Sequence, residues 1–150
     1  MLVIDGQQGR KALAGELFST EAKRKGLAAM IIDGAVRDIG TIREMRFPVY
    51  SRSIFPTSGT TSKVSHNQIP ISCGGVTVFP GDIIFGDDDG VVVVSEAEVR
   101  ELLPIAEEIQ VKEAEVLQRM ARGESLLGLL NFDEHFAAVS MGKESKLKFM

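Results

Sequence analysis

An arginine and an aspartate stand side by side at Arg37 and Asp38, shortly after an apolar run. Arginine offers a planar fork that grips a carboxylate with two hydrogen bonds, and aspartate is a ligand that hard divalent cations accept. Charged residues of these two types are therefore candidates for a ligand site. An adjacent Arg-Asp pair by itself is more often a surface ion pair beside a turn, and this alternative stays open here.

The elements around the pair indicate where it lies. Residues 27–32 form a short apolar run without alternation, which is typical of a strand buried on both faces, and we expect Gly34 to end it. Residues 2–4 form a second strand-like run. In open α/β sheets, ligands collect beyond the carboxyl ends of parallel strands. We therefore predict that Arg37 and Asp38 lie at the rim of a pocket.

A helical pattern separates the two predicted strands. Apolar residues recur at steps of three and four over residues 10–25, and Gly26 should end this helix. The strand, helix and strand form a βαβ unit, so residues 2–4 and 27–32 should be parallel neighbours with their carboxyl ends at one edge.

The second half of the chain is rich in short β-type runs. We predict a short helix at 39–45, a strand at 49–51 and an exposed loop at 55–67. Mostly antiparallel strands follow, separated by glycine turns, at 69–71, 76–79, 83–85 and 91–94. A long helix over 95–122, interrupted by Pro104, and a short helix at 125–130 complete the pattern.

Composition excludes several classes of protein. The chain has 150 residues and a formal net charge of −4, which argues against a nucleic-acid-binding surface. No apolar run approaches the roughly 18 residues of a membrane helix, and the start does not resemble a signal peptide, so we expect a cytoplasmic protein. Cys73 stands alone and fits a packing role better than a nucleophilic one. His66 fits a surface residue better than a metal ligand.

Four segments carry a resemblance to a known family. They are Ala14-Gly15-Glu16-Leu17, Ile31-Ile32-Asp33-Gly34-Ala35-Val36-Arg37-Asp38, Gly74-Gly75-Val76-Thr77-Val78 with Pro80-Gly81-Asp82, and Asp88-Asp89-Gly90-Val91-Val92-Val93-Val94. In order and spacing they resemble the RraA-like family, which includes class II 4-hydroxy-4-methyl-2-oxoglutarate aldolases, oxaloacetate decarboxylases and regulators of ribonuclease E activity. Each motif alone is weak, whereas their combination is specific.

The resemblance implies an α/β fold of the swivelling β/β/α kind. The βαβ unit, the short antiparallel strands and the long C-terminal helix would form a single domain over residues 1–130. Residues 131–150 would then form a mobile tail. The resemblance also implies homotrimers or hexamers, with the active site at a subunit interface.

The resemblance further implies roles for particular residues. Four backbone amides at the start of a helix would receive the carboxylate of a pyruvyl group, those of Gly15, Glu16, Leu17 and Phe18. Arg37 would hold the same substrate, and Asp38 would anchor a divalent cation, Mg²⁺ or Mn²⁺. The metal would stabilise the pyruvate enolate formed when a carbon–carbon bond breaks, and Glu16 could position the water that protonates this enolate.

Two departures from the family pattern matter. Many relatives carry an acid three residues after the aspartate of the Arg-Asp pair, where this chain has Thr41. Relatives also usually carry a sizeable amino-terminal region before the first strand, which this sequence lacks. Two functions remain: a metal-dependent lyase for oxo acids, and a non-catalytic regulator that binds a ribonuclease or another protein. The presence of Asp38 favours the lyase, because the regulator branch often lacks the metal-binding acid.

Overall fold

A computed structural model describes residues 1–7, 9–59 and 65–150 of the chain. Its contacts divide the chain into two units, Met1–Glu96 and Ala97–Met150. The first unit is mixed α/β and the second is helical. The structure therefore confirms the α/β class, and the predicted single domain over residues 1–130 stays a prediction.

The first unit begins with a parallel sheet and two helices. These elements are β1 (Leu2–Asp5), β2 (Ala12–Ala14), α1 (Glu16–Arg24), β3 (Met30–Val36), α2 (Ile39–Glu44) and β4 (Val49–Ile54). Two hairpins follow, made of β5 (Ile71–Cys73), β6 (Val76–Val78), β7 (Ile83–Gly86) and β8 (Val91–Val94).

Strand β3 lies at the centre of the sheet. It pairs in parallel with β1 from Met30 to Asp33, with β2 at Ala35 and Val36, and with β4 along its whole length. Because β4 uses one edge throughout, β1 and β2 must share the other. All seven residues of β3 are buried, which explains its continuous apolar pattern. The predicted parallel pairing of residues 2–4 with the apolar run at 27–32 is confirmed as the pairing of β1 with β3.

The hydrophobic core lies where α1 and the loop before β4 cover the sheet. Three side chains of β3 contribute to it, Met30, Ile32 and Val36. They pack with Ala14 of β2, Ala22 of α1 and Phe47. The site-bearing end of β3 is thus part of a packed core, and packing restricts how far it can move.

The predicted helix over residues 10–25 is wrong in its first half. Ala12–Ala14 is a strand, and the helix spans only Glu16–Arg24. The Ala12 N–H donates to the Thr57 carbonyl at 2.8 Å, and the Ala12 carbonyl accepts the Gly59 N–H at 2.9 Å. Non-local backbone pairing therefore overrides the local helical periodicity, and the helix begins only after Gly15.

The sequence indicated that Gly34 ends the central strand, and this prediction is wrong. The strand continues to Val36, and its register with β4 changes between Ile32 and Ala35. Two residues of β3, Asp33 and Gly34, lie opposite the single residue Arg52 of β4. Gly34 therefore lies in a bulge inside the strand rather than in a turn at its end, and glycine is common in both places. Strand β4 is also longer than predicted and reaches Ile54.

The two hairpins confirm the predicted antiparallel strands. β5 pairs with β6 and β7 with β8, although β5 begins at Ile71 rather than at residue 69. In the β7–β8 turn, the Asp87 carboxylate accepts the N–H groups of Asp89 and Gly90, and Gly90 has φ 156°. The turn thus uses an aspartate and a glycine as predicted. The loop predicted over 55–67 is described only at 55–59 and 65–67, where His66 is exposed.

The second unit consists of helices. They are α3 (Glu96–Ala121), a 3₁₀ turn (Leu126–Leu129) and α4 (Phe132–Ser140). Pro104 lies inside α3, and α4 occupies nearly half of the tail at 131–150, for which the sequence predicted no regular element. Among the helices of the described ranges, none combines the length and apolar character needed to cross a membrane.

A buried carboxylate joins three parts of the first unit. The Asp33 side chain accepts the Arg52 Nε–H at 2.5 Å and the Gly74 N–H at 2.8 Å. These bonds link β3, β4 and the turn of the β5–β6 hairpin. The Arg52 guanidinium, followed by the Gly74 amide, lowers the pKa of Asp33 below its ordinary value.

The Asp33 carboxyl predicts how stability depends on pH. A lowered folded pKa gives a contribution that is present above the unfolded pKa of about 3.9 and is lost as pH falls through the folded pKa. The free energy of unfolding should therefore decrease below about pH 4. Asp33→Asn should make this decrease shallower in urea titrations run at a series of pH values. The exposed turn variant Asp88→Asn should keep the wild-type slope, and equal slopes for all three proteins would contradict the role given to Asp33.

Candidate active site

The structure brings the predicted site residues together at one edge of the first unit. Arg37 and Asp38 follow β3 directly, and Gly15 precedes the first turn of α1. The Gly15 carbonyl accepts the Ser19 N–H at 3.1 Å, which is the first bond of the helix. The amides of the first helical turn have no intrahelical acceptor and carry the positive end of the helix dipole.

Two hydrogen bonds connect the end of β3 to the start of α1. The Glu16 N–H donates to Asp38 Oδ2 at 3.2 Å, and the Arg37 N–H donates to the Ala14 carbonyl at 3.0 Å. One of the first-turn amides is thus already bonded to the carboxylate. The amides of Leu17 and Phe18 have no acceptor among the described residues and remain available to a ligand.

Gly15 allows this close approach. It is buried, and a Cβ at this position would overlap Asp38 Oδ2 and lie 2.9 Å from Arg37 Cγ. Only a residue without a side chain therefore lets the helix start lie directly against the Arg-Asp pair. The glycine in the Ala14–Leu17 motif is the sequence signal for this contact.

The backbone of Asp38 is strained in a way that presents its side chain. Its φ of 58° and ψ of 36° fall in the left-handed region, and its carbonyl accepts the Ile42 N–H at 3.1 Å at the start of α2. A non-glycine residue in this region costs about 1–2 kcal/mol, although Asp and Asn tolerate it best. Such strain often accompanies functional residues.

The Arg-Asp pair is open to solvent. Arg37 Nε lies 3.5 Å from Asp38 Oδ2, and the two side chains are 42% and 37% exposed. A pair of this kind contributes about 0–1 kcal/mol to stability, so stability alone does not explain its placement. Leu17 and Phe18 form an exposed apolar rim beside it. The edge therefore offers amides and a guanidinium to an anion, together with a carboxylate to a cation.

The Asp38 carboxylate suits a hard divalent cation better than structural zinc. Across residues 1–7, 9–59 and 65–150, no three His, Cys, Asp or Glu side chains stand close enough to form a metal cluster. Asp38 Oδ1 makes no hydrogen bond to a described residue, so it can face a cation. Mg²⁺ commonly binds through one or two carboxylates and keeps several waters, whereas structural zinc requires four protein ligands. Asp38 therefore suits Mg²⁺ or Mn²⁺. Thr41 lies exposed in α2.

Neither Cys73 nor the groove beside β1 involves the predicted site residues. Burial raises the pKa of the Cys73 thiol, which agrees with a packing role. A groove of about 790 Å³ borders β1 and the β6–β7 turn, and none of the predicted site residues lines it. Sequence reasoning missed the ion pair of Asp33 and Arg52, for which an aspartate inside an apolar run was the available signal.

Comparisons with known proteins show the family of this chain and agree with its fold. The RraA-like family (Aldolase/RraA) matches residues 1–93, and the chain belongs to this family. It is 38% identical over 122 residues to the uncharacterized protein MJ0644 of Methanocaldococcus jannaschii, covering 81% of this chain and 59% of that protein. It is 35% identical over 111 residues to a Halalkalibacterium halodurans protein provisionally named 4-hydroxy-4-methyl-2-oxoglutarate aldolase, covering 73% and 53%.

A solved structure is similar as well. RraAS2 of Streptomyces coelicolor, described as an unusual member of the RNase ES inhibitor RraA protein family, aligns with a TM-score of 0.69 and 29% identity. The alignment covers 80% of this chain and 61% of that one. The chain thus spans between half and two thirds of the length of these relatives.

Gly15→Ala tests the close approach at the helix start. The added methyl group would overlap the Asp38 carboxylate, and overpacking of this kind costs typically about 1–3 kcal/mol. Gly40→Ala is the matched control, because a Cβ there meets nothing within 4 Å and Gly40 lies inside α2. Thermal unfolding should show Gly15→Ala destabilised and Gly40→Ala unchanged or stabilised. Equal melting temperatures for wild type and Gly15→Ala would contradict the contact.

Proposed function

We propose that this protein is a divalent-metal-dependent lyase that cleaves a carbon–carbon bond in oxo acids, of the 4-hydroxy-4-methyl-2-oxoglutarate aldolase or oxaloacetate decarboxylase type. One observation carries the proposal. The open Arg37–Asp38 pair lies against the start of α1, where the Leu17 and Phe18 amides have no acceptor among the described residues. The similarity to a provisionally named aldolase supports the same reaction class.

The carboxylate of an α-oxo acid suits the groups at this edge. Amides at a helix N-terminus attract anions, and a guanidinium forms charge-assisted hydrogen bonds with carboxylates. The Leu17 and Phe18 amides and the Arg37 side chain would hold the pyruvyl carboxylate. Its oxo group would then be directed toward Asp38, which is fixed by the Glu16 amide.

Asp38 would hold the divalent cation, and Glu16 would serve the proton transfer. When bound, the cation would act as a Lewis acid toward the negative charge that develops on the oxo acid. The scissile bond breaks with its electron pair retained by the pyruvyl fragment. From oxaloacetate the remainder leaves as carbon dioxide; from the 4-hydroxy substrate it leaves as a second oxo acid, and its hydroxyl proton passes to water. Glu16 has an exposed side chain and would orient the water that protonates the retained carbon.

The proposal includes a homo-oligomer. The side chains of Leu17 and Phe18 are 77% and 67% exposed beside the site, and large exposed apolar groups mark interaction surfaces. A neighbouring subunit in a trimer or hexamer would cover them and shield the oxo acid from water. Sedimentation velocity at micromolar concentration should therefore detect a species several times heavier than the 16.3 kDa chain.

A second candidate is a non-catalytic regulator that binds a ribonuclease or another protein. Two observations favour it: the similarity to RraAS2, and the lack, among the described residues, of a group of three or more side chains that could hold a metal ion. The regulator needs an exposed surface and no open metal ligand. Asp38 is held in the left-handed region, and its Oδ1 makes no hydrogen bond to a described residue; the lyase explains this better.

Pyruvate release separates the two candidates. Wild-type protein should release pyruvate from oxaloacetate or from 4-hydroxy-4-methyl-2-oxoglutarate when magnesium is added, in a coupled assay with lactate dehydrogenase. Asparagine tolerates the left-handed backbone as aspartate does but carries no charge. Asp38→Asn should therefore abolish the magnesium-stimulated rate. Asp88→Asn, in an exposed turn, should not change the rate. Wild-type protein without magnesium-stimulated release from either substrate would favour the regulator.

Arg37→Lys separates substrate binding from metal binding. A lysine keeps the charge but loses the planar fork, so the oxo acid should bind more weakly. The loss of one charge-assisted hydrogen bond is worth about 1.5–3 kcal/mol, or about one to two decades in kcat/KM. Magnesium titrations should give a metal requirement close to wild type. Arg122→Lys is the exposed control. If Arg37→Lys shifts the metal requirement as far as Asp38→Asn does, the two roles are reversed.

A further inference from the structure

The bulge in the central strand lies just before the candidate site. Ile32 pairs with Ser51 and Ala35 pairs with Ser53, so β3 contains one residue more than β4 between these two pairs. Beyond the bulge, every residue of β3 is displaced by one position along β4. One position in a strand is about 3.3 Å. The bulge therefore decides where Arg37 and Asp38 stand relative to the rest of the sheet.

The side chains at the bulge are bonded to each other. Arg52, the residue opposite the bulge, donates from Nε to Asp33 Oδ1 at 2.5 Å. Asp33 Oδ2 accepts the Gly74 N–H at 2.8 Å, so both carboxylate oxygens are occupied. This pair differs from Arg37–Asp38, because the Asp33 carboxylate is buried whereas Asp38 is open.

We propose that Asp33 and Arg52 are positioning residues for the site: their ion pair holds the bulge and thereby sets the place of Arg37 and Asp38 against the start of α1. The extra residue can be accommodated at other positions of a strand, which would give other registers. The pair makes one register favourable, because any slip would separate a buried carboxylate from its cation.

The contact at the helix start makes the site sensitive to this register. The bond from the Glu16 N–H to Asp38 Oδ2 is 3.2 Å long, near the upper limit for a hydrogen bond, so a further displacement of Asp38 would break it. Misplacement of catalytic groups by about 1 Å can lower a rate by about 100-fold. A loss of the Asp33–Arg52 geometry should therefore change the site although neither residue touches it.

Two variants of the pair test the inference. Arg52→Lys keeps the charge but changes the donor, and Asp33→Asn removes the charge without leaving an unpaired buried carboxylate. Arg24→Lys is the matched control, since Arg24 forms an exposed ion pair with Glu21 in α1. The readouts are the Glu16 and Arg37 amide signals in ¹⁵N–¹H NMR spectra, their broadening by Mn²⁺, thermal unfolding, and kcat and KM for the oxo acid.

We expect displaced Glu16 and Arg37 amide signals in Arg52→Lys and Asp33→Asn, with weaker Mn²⁺ broadening and a kcat/KM lowered about 10- to 100-fold. Arg24→Lys should match wild type in all readouts. Folded Arg52→Lys or Asp33→Asn protein with wild-type Glu16 and Arg37 signals would overturn the inference. If Arg52→Lys does not fold, Asp33→Asn alone decides between the two results.

The inference rests on the proposed function, because that function gives Arg37 and Asp38 their roles. The NMR test of the inference does not depend on the proposed function. If wild-type protein cleaves neither oxo acid, the proposed function fails, and the amide signals still decide whether the pair positions Arg37 and Asp38. If wild-type protein is active and the variants keep both the signals and kcat/KM, the inference alone fails.

Discussion

The parallel pairing of β3 along both of its edges is the constraint on which the rest of the first unit depends. β4 covers one edge from Met30 to Val36, while β1 and β2 share the other. Apart from the bulge at Asp33 and Gly34, β3 is paired at both edges, and all seven of its residues are buried, as is typical of parallel strands covered on both faces. Arg37 and Asp38 of the candidate site follow directly after the last residue of this strand, Val36. Buried backbone pairing thus fixes the position of groups that themselves stay open to solvent.

The unit uses two arginine–aspartate pairs for different purposes. At Asp33–Arg52 the carboxylate is buried and both of its oxygens accept hydrogen bonds, so nothing remains to bind a ligand. At Arg37–Asp38 the side chains are more than a third exposed and 3.5 Å apart, with one carboxylate oxygen unoccupied by described groups. The two arginines are similarly exposed, at 42% and 43%, so the carboxylates make the difference. A ligand can replace water at the open Asp38 carboxylate but not at the buried Asp33 carboxylate.

Membership of the RraA-like family leaves two functions in view, and the geometry bears on both. The helix-start amides, the guanidinium and the carboxylate form one edge at which an anion and a cation can bind together. A regulator that acts only through surface contact has no use for a strained aspartate, whose left-handed backbone costs free energy. Leu17 and Phe18 are exposed beside that edge, and large exposed apolar side chains are typical of an interaction surface, which either function could use.

The sequence by itself determined the local features: the α/β order, the parallel first pair of strands, the hairpin turn at Gly90, the long helix after Ser95 and the candidate pair at Arg37 and Asp38. Each of these follows from patterns within short segments or from the order of such segments along the chain. Only the tertiary structure decided that Ala12–Ala14 is a strand and that β3 continues past Gly34. The Ala12 backbone donates a hydrogen bond to Thr57 and accepts one from Gly59, and Arg52 bonds the Asp33 side chain at the bulge. These partners lie far along the chain, so no local periodicity carries them, and the position of Asp38 against Glu16 depends on the same long-range pairing.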